Sequence, residues 1–402
     1  MCLNTTHPGW FFTSLKFKAV PVDGLCTVAP TRRTVLASGG PALGSLTAVS
    51  GCLGADDDAD VSCPPSVPTD ASLRIGFVGD VMLGRSVDER WRDDPDGATA
   101  VWGSMRNRLQ SLDGLVANLE CCLSDRGEPR PGRTFHFRAT PRWAVAALDR
   151  AGVSCAGLAN NHLFDFGPAA LTDTPAHLAD GGIASVGAGV DRETAFEPAF
   201  VEIDGLSLAV VAVTDQSPSY AADGDSPGTA YAPLDPNHPL TRRRVGGALA
   251  AARDADPDLL VVTAHWGPNW VTEPGETQQA FARWLVDNGA DVVHGHSAHV
   301  IQGVEVYRGR PIMYDTGNFV DDYAVKGGYR NDRSFLFELR IEDGRLAALE
   351  LTPVENAYVQ VGRADEAVAK WLRETLRERS RPFGTAIERD GLGLRIPLSC
   401  PE

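Results

Sequence analysis

The chain has 402 residues, an apolar fraction of 43% and a formal charge of −16, which is long enough for one large α/β domain or two smaller ones and ordinary in hydrophobicity for a globular protein. Its first 52 residues hold four basic side chains and one acidic one, so the remainder carries −19. Such a surface repels nucleic acid and anionic membranes, and a polyanion would have to meet a local basic site or a metal.

The amino end predicts export. In TRRTVLASGGPALGSLTAVSGCLG, residues 31–54, the pair Arg32-Arg33 precedes about twenty uncharged small and apolar residues that end in Ser50-Gly51-Cys52. This order resembles a twin-arginine lipoprotein signal, with Cys52 as the lipidated residue and a membrane-anchored, cell-surface location for the rest. The run is too weakly hydrophobic for a permanent membrane span. GADDDADVSCPPSVPTD follows as an acidic, proline-rich tether. Eight cysteines without a CxxC spacing speak against a zinc ribbon or a thioredoxin-like motif, and Cys121 and Cys122 are expected in the core at a strand end.

From Leu73 short apolar runs alternate with amphipathic stretches, the pattern of strands interleaved with helices. LRIGFVGDVML, GLVANLECCL, VSCAGLANNH, LSLAVVAVTD, DLLVVTAHWG and ADVVHGH read as buried strands. PRWAVAALDRAG, ALTDTPAHLADGG, TRRRVGGALAAARDAD and ETQQAFARWLVDNGA carry apolar residues at helical spacing between them. After Val300 the pattern turns to hairpins, with turns at Arg308-Gly309 and Asp343-Gly344, and ADEAVAKWLRETLRERS closes as an amphipathic helix. The predicted organisation is a leader and signal over 1–52, a tether over 53–72, one α/β domain over 73–381 and a tail over 382–402.

The polar residues fall at one kind of place. Asp80, Glu120, Asn160-Asn161-His162, His265 and His296-x-x-His299 each stand at or just after the carboxyl end of an apolar strand, the edge where α/β sheets build sites. Taken singly, Asp80 and Glu120 are as readily turn or cap carboxylates, and His162 and His265 satisfied histidines. Jointly, burying so many polar groups is unfavourable unless something pairs with them, and a divalent ion suits carboxylate, amide and neutral imidazole donors. Mn, Fe and Zn are not distinguished by these donors. Arg85, Arg133 and Arg138 follow the strand ends as candidate anion-binding groups, with surface solvation as the alternative.

GDVMLGR, ANLECCLSDRG, GLANNHLFDFG, TAHWGPNWVTEPGETQQAFARWLVDNGADVV and GHSAHVIQGVEVYRGRPIMYDTGNFV, in that order, resemble the capsule-synthesis CapA family, accessory proteins of poly-γ-glutamate synthesis. The family is similar in fold to the calcineurin-like metallophosphoesterases, a layered α/β/β/α sandwich with mixed sheets. The resemblance covers most of residues 73–319. It implies metal ligands at Asp80, Glu120, Asn161, His265, His296 and His299, with Glu120 shared by two ions. It further implies that His162 protonates a departing oxygen and that Asn318 lines the site, and Arg85 and Arg138 are carried as substrate-binding candidates. Two departures stand out: Met82 occupies the place where metallophosphoesterases usually have a histidine, and His294 is an additional imidazole, either supporting a ligand or simply buried.

The function implied is a metal-dependent hydrolase of phosphoesterase type, one or two ions per chain, acting on a phosphoester or an anionic polymer in capsule synthesis or remodelling. The alternative is a non-catalytic accessory that binds the polymer or a membrane synthase or exporter. A plain solute-binding lipoprotein would explain the signal but not the polar strand ends.

Overall fold

The computed structural model describes residues 66–69 and 72–398; the expected signal with Arg32, Arg33 and Cys52, and most of the tether, lie outside the described residues. Ten strands form a large mixed sheet. Its main order is Glu388–Asp390, Gly393–Pro397, Arg345–Asn356, Arg333–Glu342, Leu73–Val81, Gly114–Leu119, Val153–Gly157 and Ala184–Val186. Asn318–Val320 pairs alongside Leu73–Val81, and Val361–Arg363 alongside Arg345–Asn356. A second sheet of six strands runs Val304–Tyr307, Arg310–Met313, Val292–His296, Leu259–His265, Leu206–Thr214 and Ala199–Ile203.

Strand alternation sorts neighbouring residues to opposite faces and so builds the layers. Val210, Val261 and Val292 of the small sheet join Phe77, Val116 and Phe337 of the large one in a single buried cluster between the sheets. Their neighbours Val211, Val262 and Val293 turn outwards, against Val245 and Leu249 of the helix Pro239–Asp254 and Phe281 and Leu285 of Glu276–Asp287. On the far side, Leu115 and Ala117 pack with Trp143 and Ala147 of Pro141–Ala151 and with Leu171 of Gly167–Asp180. The result is the predicted α/β/β/α sandwich. Helix bounds follow local chemistry: Pro141 opens its helix, and Gly152 closes it in the left-handed region at φ 77°.

The ends of the domain differ from the sequence boundaries of Leu73 and Arg381. Val67 is buried in the inter-sheet cluster and its N–H donates to Gly344 O at 2.7 Å, so the last part of the tether is already structured. Beyond the helix Glu366–Ser380, the expected tail forms a hairpin whose second strand pairs with Arg345–Asn356 and buries Leu394 and Ile396. Asp390-Gly391, at its turn, is itself a hairpin dipeptide. Because these residues belong to the core, Ile396→Ala is expected to lower unfolding free energy by about 2–5 kcal/mol, read from the urea midpoint. An unchanged midpoint would return residues 382–398 to the status of a dispensable tail.

Candidate metal centre

Asp80 lies one residue from the end of Leu73–Val81 in the large sheet, and Glu120 follows Gly114–Leu119 beside it. His265 and His296 end adjacent parallel strands of the small sheet and are direct register partners, which puts both rings on one face. The two sheets approach closely here through glycine. A Cβ on Gly79 would come within 1.8 Å of Gly317 O, and one on Gly295 within 2.2 Å of Tyr314 O. Each glycine directly precedes a candidate ligand, so the segment 314–317 threads between the strands and fixes Asp80 and His296 relative to each other; Asp80 N–H donates to Gly317 O at 2.9 Å. In the loop after His296, Ser297 and His299 hold φ of 113° and 60°. Left-handed conformations at non-glycine residues are strained and persist only when surroundings enforce them. Asp315 supplies that enforcement, accepting from Ala298 N–H at 2.7 Å and Gly317 N–H at 2.8 Å.

The expected side chains converge. His299 Nδ1 is 3.0 Å from Asp80 Oδ2 and 2.9 Å from Asn318 Oδ1. His265 Nδ1 and His296 Nδ1 are 2.8 Å apart, and lie 4.0 and 3.8 Å from Asp80 Oδ1. His265 Nε2 is 2.8 Å from Asn161 Oδ1 and 3.6 Å from Glu120 Oε1. Donor atoms of Asp80, His265 and His296 fall within 4.8 Å of one another, as do those of Asp80, Glu120 and His299. Asp80 belongs to both groups; Glu120, which the resemblance implies as the shared ligand, also faces His265 Nε2. Asn118 Nδ2 donates to Asp80 Oδ1 at 2.8 Å, and Oδ2 faces His299.

Both carboxylates are fully buried; Asp80 Oδ2 meets His299 Nδ1 at 3.0 Å, while neither oxygen of Glu120 has a hydrogen-bond partner among the described residues. Burial would raise the Asp80 carboxyl, but the hydrogen bond and charge of His299, with His265 and His296, hold it below the ordinary carboxylate range. Burial and the Asp80 charge push Glu120 well up. Burial takes His265 down to about 3 and His296 well below its usual value, which keeps both imidazoles neutral as metal ligands must be. Burial would lower His299, but the Asp80 hydrogen bond and charge raise it. The carboxylate oxygens of Asp80 and Glu120 and the uncharged nitrogens of His265 and His296 are groups that could hold a divalent cation.

His162 stands at the rim. Its Nδ1 lies 2.6 Å from Asp165 Oδ2, which leaves Nε2 towards Glu120 Oε1 at 3.8 Å. Asp165 in turn meets Arg133 Nε at 3.2 Å and accepts from Phe137 N–H at 2.8 Å. Burial lowers the His162 pKa, with the Asp165 hydrogen bond opposing. His294 is held between Thr263 Oγ1 at 3.4 Å and Thr316 Oγ1 at 3.2 Å, its ring beside that of His296. Thr263 Oγ1 also meets His296 Nε2 at 2.8 Å, so the two histidines share one threonine. Met82 is fully buried in the apolar cluster on the outer face of the large sheet. Asn318 orients His299, with its Nδ2 left unpartnered.

Arg85 and Arg133 line a cavity of about 580 Å³ together with Asn161, His162 and Trp270. Arg138 does not. Strand alternation sets Phe137 against His162, ring centroids 4.6 Å apart, and turns Arg138 the other way, over Phe166 and into a neighbouring cavity. Sequence reasoning passed over Asn118, Asp165 and Asp315, which position the candidate site residues, and named Asn160 without a role. Asn160 accepts from His162 N–H and donates to Leu119 O, tying two strand ends together.

The family described as bacterial capsule synthesis protein PGA_cap matches residues 74–323. A "Probable polyglutamine synthesis accessory protein" of Mycobacterium tuberculosis is 36% identical over 355 residues, covering 77% of this chain and 91% of the relative. The "Capsule biosynthesis protein CapA" of Bacillus anthracis is 30% identical, covering 70% and 67%, and the "PGA biosynthesis protein CapA" of Bacillus subtilis 28%, covering 72% and 74%.

Metal analysis of the purified protein is expected to find about one or two divalent ions per chain, and addition of Mn or Zn to metal-stripped protein to raise its Tm by mass action. His265→Ala should lose most of the ion and most of the Tm response. Equal metal content and response in the two proteins would remove the centre.

Proposed function

The chain belongs to the bacterial capsule synthesis family PGA_cap, and from that premise we propose that it serves synthesis, release or remodelling of a cell-surface polymer of the poly-γ-glutamate kind through a metal-dependent hydrolase site. The observation that carries the hydrolase reading is the pair of buried carboxylates, Asp80 and the unpartnered Glu120, gathered with His265, His296 and His299 beside a further histidine at the cavity wall. A divalent ion held by Asp80, Glu120, Asn161, His265, His296 and His299 would supply Lewis-acid polarisation of the bond to be broken. The protein's own groups supply the rest. With Asp165 accepting, His162 carries its proton on Nδ1 and presents Nε2 to the site. A proton taken up at Nε2 can be handed to a departing oxygen, and Asp165 stabilises the imidazolium meanwhile. Arg133, whose Nη2 is 3.5 Å from His162 Nδ1, opposes that charge and favours its release. Arg85 and Arg133 give an anionic substrate its bidentate partners.

One observation favours a second reading, a non-catalytic accessory of a membrane synthase or exporter. Met82 lies in the apolar core where the metallophosphoesterase pattern has a histidine, so the group of Asp80, Glu120 and His299 has one donor fewer. The two readings separate in a phosphomonoester and phosphodiester assay. His162→Asn should lower kcat by roughly 10²–10⁴-fold while leaving metal content unchanged. Wild type that holds ions but turns over no ester and no polymer would support the accessory.

Export and anchoring belong to the same proposal and rest on the order of Arg32-Arg33, the weakly apolar run and Cys52. No helix among the described residues is long and apolar enough to cross a membrane. Cys52→Ser is expected to move the protein from the membrane fraction to the soluble one; unchanged partitioning would exclude the lipid anchor.

A further inference from the structure

We propose that the substrate cleft runs through two cavities that meet at Arg85, and that it takes a linear chain whose anionic groups are spaced by neutral units, one group bound beside His162 and another at Arg138. The inference rests on the reading of the metal centre as the working site. It goes beyond that reading in giving the cleft a second compartment and a length-sensing residue.

The first cavity, about 580 Å³, has Arg85, Arg133, Phe135, His162, Trp270 and Lys326 in its wall. The second, about 360 Å³, has Arg85, Arg92, His136 and Arg138. Arg85 is therefore the shared wall, and it is held there unusually firmly for a surface arginine. Its guanidinium lies 4.9 Å from the ring centroids of both Phe135 and Phe137, its Nε meets Asp322 Oδ2 at 3.2 Å, and its φ of 56° is left-handed. Its Nη1 is buried without a partner among the described residues, but the side chain as a whole is 31% exposed. A pre-positioned guanidinium that is partly exposed can meet a carboxylate or phosphate oxygen.

Arg138 is equally available. It stacks over Phe166 at 4.0 Å and touches the carbonyl oxygens of Gly127 at 3.2 Å and Arg126 at 3.5 Å, but pairs with no carboxylate among the described residues. Lys326 at the other end lies over Trp270 at 4.5 Å and is likewise without a carboxylate among them. The segment RGEPRPGRTFHFR, residues 126–138, that divides the cavities holds four arginines and one glutamate in a chain of net charge −16. Asp88 in the second cavity is already engaged, accepting from Thr140 N–H and Trp143 Nε1.

The walls also say what lies between the charges. Phe135 is 47% exposed and Val325 54% exposed at the first cavity, and Glu89 and Asp125 stand at the second. Uninterrupted negative charge, as in polyphosphate, would leave the apolar wall unused and meet those two acids. A chain of carboxylates separated by amide and methylene units lays its neutral parts on Phe135 and Val325 and its charges on Arg85 and Arg138.

The test is direct binding at fixed ionic strength to the full chain, which needs no turnover, with a γ-linked glutamate dimer, a long γ-linked oligoglutamate and a linear polyphosphate as probes. Wild type should bind the long oligoglutamate roughly tenfold or more tightly than the dimer. Arg138→Gln should abolish most of that advantage without changing affinity for the dimer, Arg138→Lys should restore part of it, and Arg243→Gln, on the outer helix Pro239–Asp254, should change neither. Equal affinity for short and long chains, no binding of either, equal losses in Arg138→Gln and Arg243→Gln, or an Arg138-dependent preference for polyphosphate would each overturn the proposal. Persistence of the length preference in a protein that hydrolyses nothing would remove the hydrolase reading alone. Ester hydrolysis without the preference would remove the second compartment alone.

Discussion

The carboxylates of Asp80 and Glu120 lie at full burial, and the oxygens of Glu120 have no hydrogen-bond partner among the described residues; most of the surrounding architecture follows from that. An ionised carboxylate at such depth destabilises a fold by several kcal/mol unless it is paired. The protein does not pair them with arginine or lysine. It surrounds them with imidazoles: burial keeps His265 and His296 neutral, the Asp80 hydrogen bond and charge raise His299 against burial, and burial with the Asp80 charge pushes Glu120 up, so a cation from outside the polypeptide could supply the charge that lets both carboxylates ionise together. The polar layer beneath is tied in: Asn118 holds Asp80, Asn160 ties Leu119 to the start of the His162 turn, and Thr263 holds His296.

Much of the fold was legible in the sequence because the strands are buried on both faces and their runs are long, apolar and rich in valine. The ligands were legible because each sits where such a run stops. What the sequence hid has specific causes. Asn118 lies inside an apolar run, where it reads as an interruption, and its partners Asp80 and His265 are 38 and 147 residues away. Asp315 reads as a turn residue, and it is one; that the turn braces the loop of His299 is visible only when the strands are paired. Asp165, three residues after His162, was in plain view, but spacing alone does not distinguish a hydrogen-bonded pair from a solvated surface. The direction of Arg138 was a matter of strand phase, and one residue of shift would have put it against His162 in place of Phe137. The closing hairpin was missed because its apolar residues are few, although Asp390-Gly391 marked its turn.

Net charge and local charge act on different length scales here. The overall −16 is a long-range repulsion that salt screens beyond about 8–10 Å, whereas the arginines of residues 126–138 act at contact. The bulk surface offers an anion nothing, whereas Arg85, Arg133 and Arg138 would favour one within reach. On the proposed reading, a ligand that engages several arginines at once would offset the background field better than a small anion.

The centre is also divided between the two sheets. Asp80, Glu120, Asn161 and His162 follow strands of the large sheet, and His265, His296 and His299 follow strands of the small one. Neither half offers a complete set of donors, so an ion bound here would be held only after the inter-sheet core around Phe77, Val261 and Phe337 has closed. On the proposed reading binding and folding would be linked: an occupant of the centre would add its binding free energy to the docked sandwich and none to the separated sheets. The buried carboxylates, a destabilising feature of the protein alone, would then join the layers. The glycines at 79 and 295 serve the same end, since their missing side chains let the segment 314–317 pass between the sheets and set the distance across which the donors must meet.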